Sequence, residues 1–323
     1  TLSRHDYYWF ILRKEESRVR IGKIRSIPAL SVEGGWEAVF KDKAKEMLEN
    51  EILPLYVNGC RWFAGKSREI RSMRIVETIT LKENAYVSQL LLVAVLYTTE
   101  PHDYYLLPVS FTSGDKAEGI VIENPNAILA HLKTDTAEGI IYDSVHDEEF
   151  RRILLTMILK KHRIIGQQGN LVAYSGKALN KYQYEEILSE KSQVLKADQS
   201  NTSFLYGKSF FLKLYRRLDE GINPDVEIGR YLTEKTPYPN IPSFLGAIQY
   251  VRQGVEPTVI WMLQAYIPHQ GDGWNFSLDW AGRFFGKVAA RRNEIPEIPK
   301  IPSSLFEAVS QEIPLLIKEL VGG

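Results

Sequence analysis

A single cysteine, Cys60, is all the thiol that this chain of 323 residues carries. That excludes an internal disulfide, and with no C-x-x-C pair and no metal-spaced set of His and Cys it also excludes a zinc module. A reducing, cytoplasmic setting suits such a composition. Charge of either sign is not in excess: 40 Lys and Arg offset 40 Asp and Glu, for a formal net charge of zero. Nothing electrostatic therefore argues for nucleic acid or an anionic membrane as a partner. Long apolar runs are missing too, since the longest, Leu90 to Tyr97, falls well short of the about 20 residues that span a bilayer. The chain opens without Met or a signal-like segment, so we expect it to begin inside a longer protein. No internal repeat and no G-x-G-x-x-G loop is present. After His269 there is no histidine, and after Asp279 no aspartate.

What is there centres on Asn201 to Glu227, NTSFLYGKSFFLKLYRRLDEGINPDVE. Apolar alternation at Phe204 and Tyr206, a break at Gly207-Lys208 and a second run from Ser209 to Tyr215 predict a β-hairpin. Its second strand sets Lys213 among Phe210, Phe211, Leu212, Leu214 and Tyr215, where an ammonium either snorkels to water or meets an anion. A solvent-facing edge position is the plain alternative. Asn223 followed by Pro224 predicts a helix start, with Glu227 in its first turn. A hairpin, a strand lysine and then a helix bearing a glutamate follow the plan of a protein-kinase-like small lobe.

The run Gln199 to Ser203, followed by LKLYRRLDEGINPDVEIGRYL from Leu212 to Leu232, resembles bacterial maltokinases, relatives of the aminoglycoside and choline kinases. That resemblance implies an enzyme that moves the γ-phosphoryl group of ATP, with Mg2+, onto maltose to give maltose 1-phosphate for α-glucan synthesis. It also implies that Ser200, Asn201, Thr202 and Ser203 form the phosphate-covering turn, that Lys213 contacts the phosphates and pairs with Glu227, and that Gln264, Tyr266 and Ile267 form the adenine hinge.

Upstream, His5 to Leu12 reads as an aromatic strand similar to the last strand of trehalose synthases, enzymes that in some bacteria are fused ahead of a maltokinase; residues 13–33 read as linker. Trp36, Val39, Phe40, Ala44, Met47, Leu48 and Ile52 have helical spacing and predict one amphipathic helix. It leads into RWFAGKSR, Arg61 to Arg68, which resembles the maltokinase cap signature; Trp62 and Phe63 read as core anchors, with a phosphate- or sugar-binding turn as the alternative. Arg74 to Leu81, Ala85 to Thr98, Tyr104 to Ser110 and Gly119 to Glu123 predict an antiparallel meander. The acidic run Asp143 to Glu149 reads as the start of a helix with the stripe Phe150, Ile153, Leu154 and Ile158, not as a metal cluster. Leu171 to Tyr174 is a strand, and Phe244 to Arg252 with Thr258 to Gln264 a second hairpin. His269 to Trp274 is not read as a catalytic H-G-D loop. Ser277 is expected to cap a helix with Trp280, Phe284 and Val288 on one side, and Ser304 with Glu307 to open another.

The fold expected is therefore α+β. Residues 1–34 end a preceding β-domain, 35–125 form the cap of helix and antiparallel sheet, 126–268 the kinase-like small lobe, and 269–323 the start of a truncated helical large lobe. Because phosphoryl transfer needs acidic groups at the attacking hydroxyl and on the metal, we expect the catalytic acid and the Mg2+ ligands to lie beyond Gly323 and the chain alone to be inactive. A non-catalytic carbohydrate-binding or docking module is the alternative from another class, and a choline- or aminoglycoside-type kinase the alternative within the fold. Self-association through helix 277–292 is expected.

Overall fold

The computed structural model describes residues 27–99, 101–183, 188, 191–195, 200–236 and 238–291. The strand expected at residues 5–12, the linker after it, Gln199 and the helix from Ser304 lie outside them. Two units separate, Thr1–Tyr266 and Ile267–Gly323. The fold is α+β.

In the first unit the antiparallel meander forms as expected from β2 (Ile70–Glu83), β3 (Tyr86–Tyr97) and β4 (Asp103–Ser113). Short β1 (Ala29–Ser31), β5 (Ile128–Lys133) and β6 (Glu138–Asp143) complete that sheet in the order β1-β5-β6-β4-β3-β2, with β1 parallel to β5. The boundary expected at residue 125 therefore cuts a sheet whose pairing is long-range. The fourth segment of the meander, Gly119 to Glu123, is helical instead. Gly114, at φ +62°, turns the chain out of β4, acidic Asp115 and Glu118 favour a helix start, and Ala117 and Ile120 pack on Ile128, Ile140 and Tyr142. Three β-branched residues were too short a run to outweigh that packing.

The helix expected from Trp36 to Ile52 is interrupted. Trp36–Phe40 forms a 3-10 turn whose Trp36 stacks on Phe111, and Lys41 is extended. Then α1 (Asp42–Met47) runs through a widened turn, Leu48–Ile52, into α2 (Leu53–Gly59). Pro54 explains the widening: its ring would collide with the carbonyl four residues back, so Leu53 N–H reaches Leu48 O, five residues back. Val39, Leu48, Ile52, Leu53, Tyr56 and Val57 cover one face of the sheet.

The other face packs on α4 (Glu148–Leu159), the helix expected after the acidic run; α3 is Asp115–Glu123. Nine of the residues of α4 are buried, which a helix between two layers requires. Its second layer is a sheet of order β7-β8-β13-β14-β11-β10-β9, made of Arg163–Ile165, Gly169–Ser175, Phe244–Arg252, Thr258–Ala265, Phe210–Tyr215, Asn201–Tyr206 and Ser192–Leu195 respectively. One core takes Leu90 and Leu92 from the first sheet, Phe150 and Leu154 from α4, and Phe204 and Leu212 from the second. This is why Leu90 to Tyr97 is so apolar: β3 is covered on both faces. A two-residue strand, β12 (Arg217–Leu218), leaves the second sheet and pairs with β4.

In the second unit, α6 (Gly273–Ala290) begins four residues before the expected Ser277. Its cap is Asp272, whose carboxylate accepts from Asn275 N–H at 2.7 Å, and Ser277 turns back to donate to Gly273 O at 2.7 Å inside the helix. Helix α5 of the first unit is Pro224–Lys235. Among the described residues no helix is long and apolar enough to cross a membrane.

Candidate functional site

Strand alternation decides what β11 presents. Phe210, Leu212 and Leu214 enter the core, so Lys213 points to the opposite face. Register places it beside Ser203 on β10 and Met262 on β14. There it lines a cavity of about 240 Å3 with Asp225, Ile228, Met262 and Gln264. Helix α5 closes the other side. The Asn223 side chain accepts from Asp225 N–H at 2.9 Å and Pro224 occupies the first turn, so the helix starts where the sequence predicts.

The carboxylate that meets the lysine is Asp225, not Glu227. Lys213 Nζ lies 2.6 Å from Asp225 Oδ2, and the Tyr215 hydroxyl donates to the same oxygen at 3.3 Å. Burial first, and Asp225 second, push the Tyr215 phenol well above its ordinary range, so it stays a neutral donor. Helical phase is the reason: Asp225, Ile228 and Gly229, at i, i+3 and i+4, face the cavity, while Glu227, about 200° round the helix from Asp225, is exposed. Lys213 is 24% and Asp225 48% exposed, so the pair positions the ammonium more than it stabilises the fold.

Three of the four residues expected to form a phosphate-covering turn lie in a strand. Asn201, Thr202 and Ser203 are residues of β10, and Thr202 and Ser203 are buried; only Ser200 precedes the strand. The connection between β9 and β10 spans 196–200, most of it outside the described residues. Of the residues expected at a hinge, Gln264 lines the cavity, whereas Tyr266 N–H is committed to Ser209 O at 2.8 Å. Ile267 opens the second unit and is exposed.

Sequence reasoning missed a buried ionic junction one residue beyond the tip of the lysine strand. Arg216, 1% exposed, places Nη2 2.6 Å from Oδ2 of Asp143, 2% exposed, at the end of β6. Its Nε donates to Thr202 Oγ1 at 2.9 Å, and its guanidinium lies 4.8 Å from the Trp62 ring. The Tyr56 hydroxyl of α2 donates to the same Asp143 oxygen at 3.2 Å. A basic pair, Arg216-Arg217, closing an apolar strand was the available signal. A second junction is Glu77 of β2, which accepts from Gln168 N–H at 2.8 Å and from the Tyr250 hydroxyl.

Four of the eight RWFAGKSR positions are architectural. Phe63 and Trp62 enter the core, and a Cβ on Gly65 would stand 2.3 Å from the Tyr97 hydroxyl oxygen. Arg68 donates to Thr99 O at 2.9 Å and lies 3.6 Å from the Tyr97 ring centre. Arg61 and Lys66 are exposed. Among the described residues, no group of three or more His, Cys, Asp or Glu side chains is placed to hold a metal ion.

The strand order β9-β10-β11-β14-β13, with α5 inserted between β11 and β13 and a lysine facing that helix, follows the plan expected of a kinase-like small lobe. Residues 56–147 match the family of the maltokinase N-terminal cap domain, a span that runs from α2 through β6 to the cap of α4. Solved structures similar to this chain include a glucosamine kinase in complex with glucosamine, ADP and inorganic phosphate, at 12% identity and a TM-score of 0.37 over 69% of this chain and 41% of that one. A structure of glucosamine kinase in crystal form A is similar at 14% identity and a TM-score of 0.39, over 69% of this chain and 40% of that one. The chain thus spans less than half the length of the glucosamine kinase structures.

Proposed function

We propose that this chain is the cap and nucleotide-binding small lobe of an ATP-dependent sugar phosphotransferase, with maltose as acceptor and maltose 1-phosphate as product. The observation that carries the reading is Lys213, aimed into the cavity under α5 and held at 2.6 Å by a first-turn carboxylate, in a chain whose residues 56–147 match the maltokinase N-terminal cap family. In our reading the cap runs from residue 35 to about 147 and the small lobe on to residue 266. ATP, when bound, supplies the phosphoryl group. Lys213 binds and orients its phosphates, Asp225 and Tyr215 hold the ammonium in place, and Gln264 and Met262 wall the cavity. In the same reading Ser200 and Asn201, at the start of β10, supply a hydroxyl and an amide for the phosphates. The described residues offer no converging acids for Mg2+. A trehalose synthase ahead of the chain and a role in α-glucan synthesis belong to the same reading.

The test is Lys213→Ala in the full-length protein, assayed for maltose 1-phosphate. Loss of a phosphate-orienting charge is expected to lower kcat/KM for ATP about a hundredfold or more. Near-normal kinetics would remove the role, and a wild-type protein that binds sugar yet transfers no phosphate would favour a carbohydrate-binding module. Transfer to choline, an aminoglycoside or glucosamine in preference to maltose would keep the mechanism and change the acceptor.

A further inference from the structure

The side chain of Arg216 bonds the maltokinase-like cap to the hairpin that carries Lys213. We propose that Arg216 is a positioning residue through which the cap sets the Lys213 strand. This rests on Lys213 being the phosphate-orienting residue. Arg216 sits three residues along from Lys213, where the chain bends out of β11 into β12 and crosses to the first sheet. Its backbone carbonyl accepts from Leu106 N–H of β4 at 2.7 Å. Its side chain grips both partners of the site: Thr202 on β10, adjacent to the Ser203 that faces Lys213, and Asp143 at the end of β6. Asp143 is tied in turn to Tyr56 of α2 and to Val145 N–H at 3.2 Å. On the far side of the hairpin Arg151 of α4 donates to Ser192 of β9 at 2.8 Å, so β10 is held from both flanks.

A purely stabilising role is the weaker account. Buried ion pairs of this kind are commonly replaceable by apolar side chains without loss of stability, and this one leaves Nη1 of Arg216 buried with no partner, an imperfect arrangement for a group retained only for stability. What the guanidinium does supply is a rigid fork that fixes directions toward separate elements at once. It joins an element of the cap to the strand on which the phosphate-orienting ammonium stands, and displacements of about 1 Å in such a group carry large rate effects.

The experiment uses the full-length protein and the variants Asp143→Asn and Thr202→Val, with Glu77→Gln as the control that loosens the other junction between the sheets, and Lys213→Ala as comparator. At a temperature where circular dichroism shows each variant folded, Asp143→Asn and Thr202→Val are expected to lower kcat/KM for ATP about tenfold, with KM for the sugar within about twofold. Hydrogen exchange across 201–215 is expected to quicken in both. Glu77→Gln should lose thermal stability without either change. Should Asp143→Asn fail to fold, Thr202→Val, which keeps the ion pair and side-chain shape, decides alone. Unchanged ATP kinetics and exchange in folded variants, or an equal ATP effect in Glu77→Gln, would overturn the proposal. If Lys213→Ala itself kept wild-type kinetics, the function reading would fail and the catalytic claim with it, and the exchange data would still decide whether Arg216 holds the hairpin.

Discussion

Asp225 and Glu227 are both first-turn acids of α5, and only the phase of the helix separates them. With Asn223 as the cap, the positions that face β11 are 225, 228 and 229, which leaves Glu227 on the outside. The expected consequence is unequal: Asp225→Asn in the full-length protein should lower kcat/KM for ATP about tenfold, or about 1.4 kcal/mol of transition-state stabilisation, whereas Glu227→Gln should stay within about twofold. Steady-state kinetics on the two variants side by side provide the measurement. An equal loss in both would mean that α5 rotates when nucleotide binds. Gly65 shows the same dependence on neighbours, since it is the lack of a side chain beside Tyr97, not backbone freedom, that the cap requires there.

At the scale of an element, the segment joining β6 to α4 carries a pH-sensitive group. His146 follows the ion-paired Asp143 within one 3-10 turn. Burial lowers its pKa, Asp143 partly offsets that, and the Arg216 and Arg151 guanidinium groups lower it further. The folded protein therefore holds His146 neutral to a lower pH than the unfolded chain does. The stability this contributes is complete above the ordinary histidine value of about 6.5 and is lost as pH falls through that value toward the depressed one. Melting temperature should drop as pH falls below about 6.5, and His146→Gln should flatten that limb. Parallel curves for the two proteins would show that other groups set the acid limit. The junction matters because Asp143 lies at the end of the cap sheet and Asp147 at the cap of α4, so a proton here acts where the two layers meet.

For the whole molecule, the first unit is better regarded as one body than as a cap tethered to a lobe. A shared core around α4, the β12–β4 pairing and the Arg216 and Glu77 junctions all cross between its sheets. The second unit is different. Helix α6 has no buried residue among its 18, and Trp274, Phe276, Leu278, Trp280 and Phe285 are exposed, an apolar surface of the size that finds a partner. The 323-residue chain is expected to self-associate through this helix. Light scattering should give a mass that rises with concentration, and Phe276→Ser with Phe285→Ser should return it toward monomer; a strict monomer at high concentration would count against it.

What the sequence determined by itself was local and periodic. The apolar alternation around Lys213, the Asn223-Pro224 helix start, the α4 stripe and the turn at Gly207 could be read because short-range sterics and capping set them, and the resemblance carried by RWFAGKSR is matched by the family model over 56–147. Tertiary structure alone decided which acid met Lys213, that β5 and β6 close the cap sheet, that Gly119 to Glu123 coils, and that Thr202 serves Arg216. Each of those depends on helical phase, strand register or packing between residues far apart in the chain, and the free energy that selects among them is released only when the layers come together.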